Sequence, residues 1–269
     1  MTPMIKSVEL PHGVKLPYVE QGDPSGVPVI LLHGYTDSWH SFAPVLPHLP
    51  ESIHAFALTQ RGHDDADRPA TGYRTRDFAA DVAAFADTLG LGPVVIVGHS
   101  MGSINAQRFA MDHPERVLGL VLAGSFATCR GNQTLVDFWQ SGVSQLTDPG
   151  DPDFVREFQE STLAQPIPPE FLDTIVQESL KVPAHVWQAA YEGILEDDFV
   201  GEWDKIKAPT LIVWGARDTF CPRQDQDTLL RAIPSARLVV YESAGHALHW
   251  EESERFAADL VAFVKSLGI

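Results

Sequence analysis

The chain has 269 residues, 44% hydrophobic and 20% charged, enough to bury one large core, or a core plus a subdomain, and to fold unaided. Its net charge of −17, from 19 Lys+Arg against 36 Asp+Glu, argues against nucleic acid or an anionic membrane as partner, because both would repel it. The two cysteines, Cys129 and Cys221, lie far apart and outside any C-x-x-C or Cys/His cluster, so neither a disulfide framework nor a zinc site is expected. The opening MTPMIKSVELPHG lacks the apolar region of a signal peptide and no run reaches membrane-spanning length, so a cytoplasmic location without membrane insertion is expected. Monomer and dimer stay equally open.

Residues 5 to 21 alternate well enough for an opening hairpin, and VPVILLHG (27 to 34) reads as the first fully buried strand. A helix is predicted from about Trp39 to Leu49, then the strand IHAFAL (53 to 58). In TRDFAADVAAFADTLG (75 to 90), Phe78, Val82, Phe85, Ala86 and Leu89 recur at helical intervals, Asp77 and Asp81 favour the N-terminal end, and Gly90 stops the helix. Next come the strand VVIV (94 to 97), a helix from about Ile104, and the strand RVLGLVLAG (116 to 124). This alternation implies a parallel sheet covered by helices on both faces.

From Phe126 to about Trp203 four helical patterns follow one another with no strand between them, broken by DPGDP (148 to 152), PIPP (166 to 169) and Val182-Pro183. That stretch reads as an inserted helical cap, 126–203, in a core formed by 1–125 and 204–269. It holds 14 Asp+Glu against 3 Lys+Arg, about −11 of the −17, which disfavours a strongly anionic substrate. The alternation resumes with PTLIVWG (209 to 215), a helix after Pro222, ARLVVYE (236 to 242) and a closing helix from Glu251 to Leu267.

The chemistry starts at GHSMG (98 to 102), where Ser100 sits on a strand-to-helix turn flanked by glycines two residues away on each side. A turn that tight strains the serine backbone, pushes the hydroxyl above the sheet and sets the first amides of the helix beside it. A serine hydroxyl needs a base, usually a histidine oriented by a carboxylate. Of eleven histidines, His246 in ESAGHALHWEE follows the last strand at the carboxyl edge, where the loops of a parallel sheet gather. Asp218 in VWGARDTF also follows a strand at that edge, whereas AGSFATCR (123 to 130), at the end of another strand of the series, holds no Asp or Glu. An Asx-turn or helix-capping role is the plainer alternative for Asp218. For an oxyanion two backbone donors are needed, and the amides of Met101 and of Tyr35, after the sharp turn at His33-Gly34, are the candidates. His33 and His99 are read as packed, hydrogen-bonded residues. His249 could pair with His246 on a metal, but nothing supplies the remaining ligands, so no metal and no organic cofactor is expected.

These motifs resemble the α/β-hydrolase superfamily, in particular its small capped esterases, lactonases and epoxide-hydrolase-like enzymes. The resemblance rests on His33-Gly34-Tyr35, TQRGHDDADRP (59 to 69), GHSMG, GARD (215 to 218) and GHALHWEESERF (245 to 256), in the expected order from residue 28 onward. It implies a mostly parallel sheet of about eight strands flanked by helices, and a triad Ser100, His246, Asp218 in the family's chain order. Three departures are Thr59 where Asp is usual, Ser103 where glycine is common, expected to narrow the pocket floor, and Leu248 where proline is frequent. Serine at position 100 excludes the Asp-nucleophile epoxide hydrolases and dehalogenases. The remaining chemistry is acyl transfer, with esters and lactones first, acyl-homoserine lactones among them; C–C bond hydrolysis or cofactor-free perhydrolysis is the alternative, and a slow-turnover ligand receptor the third. Tyr35, Phe126, Trp139 and Trp187 are the candidates to line an apolar substrate pocket, with Met101 beside them.

Overall fold

The computed structural model describes residues 4–269; residues 1–3 of the predicted core segment lie outside the described residues. Eight strands form one sheet in the order β1-β2-β4-β3-β5-β6-β7-β8. β1 (Ile5–Glu9) and β2 (Lys15–Gln21) make the expected hairpin, and β2 joins β4 (Ile53–Leu58) antiparallel. From β4 onward every pairing is parallel, through β3 (Val27–Leu32), β5 (Val94–His99), β6 (Val117–Ala123), β7 (Thr210–Gly215) and β8 (Ala236–Tyr241).

The strand sequences explain the layers. Successive side chains point to opposite faces, so a run that is apolar throughout feeds two cores. Ile30, Leu32, Ile96 and Leu122 join one core with Phe85 of α1 (Thr75–Thr88) and Phe109 of α2 (Met101–Asp112). Leu31, Val95, Val97 and Val121 join the other, against Phe256, Leu260 and Phe263 of the last helix.

Between β6 and β7 lie four helices, α3 (Gln133–Ser141), α4 (Pro152–Ser161), α5 (Pro169–Leu180) and α6 (Ala184–Glu196), and the predicted breaks fall between them. α4 and α5 each begin on proline, whose missing N–H costs nothing in a first helical turn. A charged clip ties this segment to the core: Lys181 Nζ lies 2.6 Å from Asp64 Oδ1 and 2.6 Å from Glu178 Oε1.

One helix differs from the sequence expectation. In place of one helix over Trp39 to Leu49 there are two 3₁₀ turns, Trp39–Phe42 and Leu46–His48, because Pro44 and Pro47 remove the donors an α-helix would need there. The closing helix is α9 (Ser253–Ser266), preceded by the single turn α8 (Leu248–Glu251), with α7 (Arg223–Ala232) before β8 as expected. The break leaves Glu251 facing back, where its carboxylate accepts from the amides of Ala164 (2.9 Å) and Gly245 (3.1 Å). One side chain thereby holds the helical segment and the loop carrying His246 together.

Candidate active site

Ser100 occupies the junction of β5 and α2 with φ 51° and ψ −120°, a conformation that costs a residue with a Cβ about 1–3 kcal/mol. The flanking glycines make the turn possible by close approach. A Cβ on Gly98 would lie 2.2 Å from the Gly102 carbonyl oxygen, and one on Gly102 would lie 2.3 Å from that of Leu32. The start of α2 therefore packs backbone to backbone against the end of β3, bringing Met101 and the His33–Tyr35 turn together.

Three loops at the carboxyl edge converge on the serine. His246 Nε2 lies 2.8 Å from Ser100 Oγ, and His246 Nδ1 lies 2.8 Å from Asp218 Oδ2. The Asp218 side chain is fully buried, and its other oxygen accepts from the amides of Phe220 (2.8 Å) and Cys221 (2.9 Å). Both readings of Asp218 thus describe the same residue: one oxygen closes an Asx turn and the other faces the imidazole. His99 Nε2 donates to the His246 carbonyl (3.0 Å) and so steadies that loop.

Burial keeps the surrounding imidazoles neutral. It pulls His99 down to about 3 and His63 down to about 4, and lowers His33 and His249 well below the usual imidazole range. His33 Nε2 accepts from the Gln60 amide (2.9 Å), so the ring is protonated on Nδ1, which donates to the Gly34 carbonyl (2.8 Å). His249 Nε2 lies 3.0 Å from Ser41 Oγ and is turned away from any ligand set with His246. Cys221 Sγ donates to the Gly124 carbonyl at 3.1 Å and lies 3.8 Å from His246 Nδ1; burial raises its thiol well above the ordinary value, so it stays protonated. Among the described residues two groups bring three potential metal ligands together. One is Asp218, Cys221 and His246, already engaged with each other; the other is His40, Asp64 and Glu178, where the Lys181 ammonium supplies the positive charge.

The cavity above Ser100 is narrow, with about 40 Å³ open to the centre of a water molecule. Tyr35 and Phe126 line it, together with Leu135, Phe138, Phe158 and Phe220. Trp139 and Trp187 do not, which corrects that expectation. Trp139 stacks on Tyr191 from outside, and Trp187 packs edge-on to Tyr35, whose hydroxyl donates to the Trp187 carbonyl at 2.5 Å. Ser103 does not reach the cavity floor either. It is fully buried, donates to the Ser100 carbonyl (2.6 Å) and lies 2.9 Å from Ser125 Oγ.

Sequence reasoning missed Asp37 and Gln159, two polar residues in the cavity wall. Asp37 is buried; Gln159 Nε2 donates to its Oδ1 at 3.2 Å and Ser41 Oγ to its Oδ2 at 3.3 Å. Burial pushes the Asp37 carboxyl up to about 7, outweighing those two hydrogen bonds and the attraction of His246. A carboxyl whose folded pKa is raised adds stability below its unfolded value, near 3.9, and loses it as pH rises toward 7. Asp37→Asn, uncharged throughout, escapes that loss. Measured by chemical denaturation, the variant's stability relative to wild type is expected to improve by about 2–3 kcal/mol between pH 5 and pH 8. An unchanged difference would show that Asp37 ionises freely in the fold.

A serine on a strained strand-to-helix turn, joined through histidine to a buried carboxylate over a parallel sheet, defines the class of hydrolases built on this sheet. The chain belongs to the alpha/beta hydrolase fold family, whose model matches residues 27–148 and 168–253. It is 30% identical over 250 residues to a pimeloyl-[acyl-carrier protein] methyl ester esterase of Neisseria meningitidis serogroup C, covering 89% of this chain and 94% of that one. It is 30% identical over 204 residues to a 2-hydroxy-6-oxononadienedioate/2-hydroxy-6-oxononatrienedioate hydrolase of Burkholderia vietnamiensis, covering 72% and 70%. Among solved structures, an esterase from Exiguobacterium antarcticum superposes with a TM-score of 0.88 at 26% identity, over 97% of this chain and 100% of that one. Among the described residues no helix is long and apolar enough to cross a membrane.

Proposed function

We propose that this protein hydrolyses uncharged carboxylic esters or lactones through an acyl-enzyme on Ser100. The reading is carried by the unbroken hydrogen-bonded chain from Ser100 Oγ through His246 to Asp218, each link 2.8 Å. Ser100 attacks the carbonyl carbon while His246 Nε2 takes its proton, and Asp218 stabilises the imidazolium so formed. The negative oxygen rests on the amides of Met101, at the start of α2, and Tyr35, in the turn packed against it. His246 returns the proton to the leaving alkoxide. A water molecule, deprotonated by the same imidazole, then releases the acid and restores the serine. Residues 126–203 serve as the cap, since Tyr35 and Asp37 of the core meet Trp187, Phe158 and Gln159 of that segment across the cavity.

The lining favours a neutral substrate with an apolar part. It is mostly aromatic and aliphatic, and no lysine or arginine lines it. C–C bond hydrolysis beside a ketone is the second reading, supported by the Burkholderia relative. That relative's named substrates are dicarboxylates, for which this cavity offers no cationic partner. The test is acid release in a pH-stat from neutral esters and lactones of graded chain length, against monoesters of dicarboxylic acids of equal length. Neutral substrates are expected to lead by tenfold or more in kcat/KM, about 1.4 kcal/mol of discrimination. A lead for the anionic monoesters would overturn the substrate class, and the absence of any ester or lactone turnover would overturn the reaction.

A further inference from the structure

The cavity wall is made of two continuous sets of residues that meet at Ser100. One is aromatic: Tyr35, Phe138, Phe158 and Phe220 touch ring to ring, and Phe220 lies against His246 at 5.1 Å. The other is polar and centres on Asp37, bonded to Gln159 on one side and to Ser41 on the other. Ser41 is in turn held by Trp250, whose indole Nε1 donates to its carbonyl at 2.9 Å.

Asp37 is under-satisfied where it stands. A carboxyl group offers about four acceptor sites. Among the described residues its side chain meets Gln159 at 3.2 Å and Ser41 at 3.3 Å, both long for hydrogen bonds to a carboxylate, with the Gly34 amide beside it as a third donor. A second acceptor lies close by. His99 donates through Nε2, which leaves Nδ1 as a lone pair, and Nδ1 is buried with no partner. His99 Nδ1 and Asp37 Oδ2 lie 2.9 and 3.1 Å from the one point where a Cβ on Gly34 would be, beside the turn that presents the Tyr35 amide. Buried polar groups left short of partners call for a ligand or water that supplies them. With Asp37 ionised both groups are acceptors, so a group bonding to either of them has to be a donor.

We propose that Asp37 is a specificity-determining residue that accepts a hydrogen bond from a hydroxyl or amide N–H carried next to the scissile carbonyl. The substrates are then esters or lactones of α-hydroxy or α-acylamino acids, with the apolar remainder against the aromatic wall. The inference rests on the hydrolase reading above and narrows it. An unsubstituted substrate fills the same space without the donor, and a site built to bond a polar group discriminates against such an analogue.

Three lactones with one ring test this: γ-butyrolactone, α-hydroxy-γ-butyrolactone and α-acetamido-γ-butyrolactone. Wild type is expected to favour at least one substituted ring by about 10- to 100-fold in kcat/KM. In Asp37→Leu and in the smaller Asp37→Ala that ratio is expected to fall to within about threefold of one. A merely structural role for Asp37 would lower all three rates together and leave the ratio unmoved, which would overturn the proposal. Equal rates for the three rings in wild type would overturn it whether or not the variants fold. Failure of wild type to open even γ-butyrolactone or to cleave p-nitrophenyl butyrate would instead overturn the hydrolase reading on which the proposal stands.

Discussion

Ser100→Ala is expected to lower kcat for ester hydrolysis by about 10⁴- to 10⁶-fold, with KM changed much less. The asymmetry follows from where the hydroxyl acts. In the proposed mechanism it makes the bond to the acyl carbon in the transition state but contributes little to holding the substrate, which falls to the cavity wall. What remains should be the residual rate from the backbone donors and the bound geometry alone. The same position carries a second, independent signature. With φ 51° and ψ −120°, residue 100 is in a conformation that suits glycine, so the side chain needed for chemistry is held under strain. Alanine removes the nucleophile and keeps the strain; glycine removes both. Ser100→Gly is therefore expected to be as inactive as Ser100→Ala, yet more stable than it by about 1–2 kcal/mol in chemical denaturation. An alanine variant retaining a tenth of wild-type activity would rule out the acyl-enzyme on this residue. Equal stability of the two variants would show that the turn is not strained.

The site was legible wherever local pattern and topology coincide. Gly98, Ser100 and Gly102 lie between a continuously apolar strand and a helical repeat, and that arrangement alone demands the tight turn. His246 and Asp218 could be chosen because each follows a strand of the parallel series, and the carboxyl ends of such strands share one edge of the sheet. What could not be read depends on how separate segments face one another. Helical spacing marks Trp187 as buried, but it does not distinguish a residue wedged between helices from one facing a cavity, and Trp187 is the former. Asp37 lies in a loop with no period, two residues past a residue already singled out. Nothing local reveals that Gln159, more than a hundred residues later, folds over it. The two 3₁₀ turns after β3 were open to a better reading, since Pro44 and Pro47 stand in the sequence and each removes a helical donor.

Asp218, the acid of the proposed mechanism, gives its sharpest test, because the structure dictates how its amide replacement must sit. In Asp218→Asn the side chain has one acceptor oxygen and one donor NH₂ in place of two acceptor oxygens. The amides of Phe220 and Cys221 both donate to the Oδ1 position, so the carbonyl oxygen has to occupy it. The NH₂ group is thereby turned to the Oδ2 position, facing His246 Nδ1, where it donates. His246 Nδ1 must then accept, which places the ring proton on Nε2, opposite Ser100 Oγ. An imidazole protonated on Nε2 cannot take the serine proton, so nucleophilic attack loses its base while every heavy atom stays in place. The expected result is a loss of about 10⁴-fold in kcat with the fold and KM retained, smaller than the loss of about 10⁶-fold expected for His246→Ala. Burial adds to the effect: with no ionised carboxylate beside it, the imidazolium that forms during attack would stand uncompensated against a side chain wholly withdrawn from water. A double variant, Asp218→Asn with His246→Ala, should then be scarcely slower than His246→Ala alone, because both changes disable the same proton transfer. Additive losses would mean that Asp218 acts apart from His246, and an Asp218→Asn enzyme within tenfold of wild type would return Asp218 to the Asx turn alone.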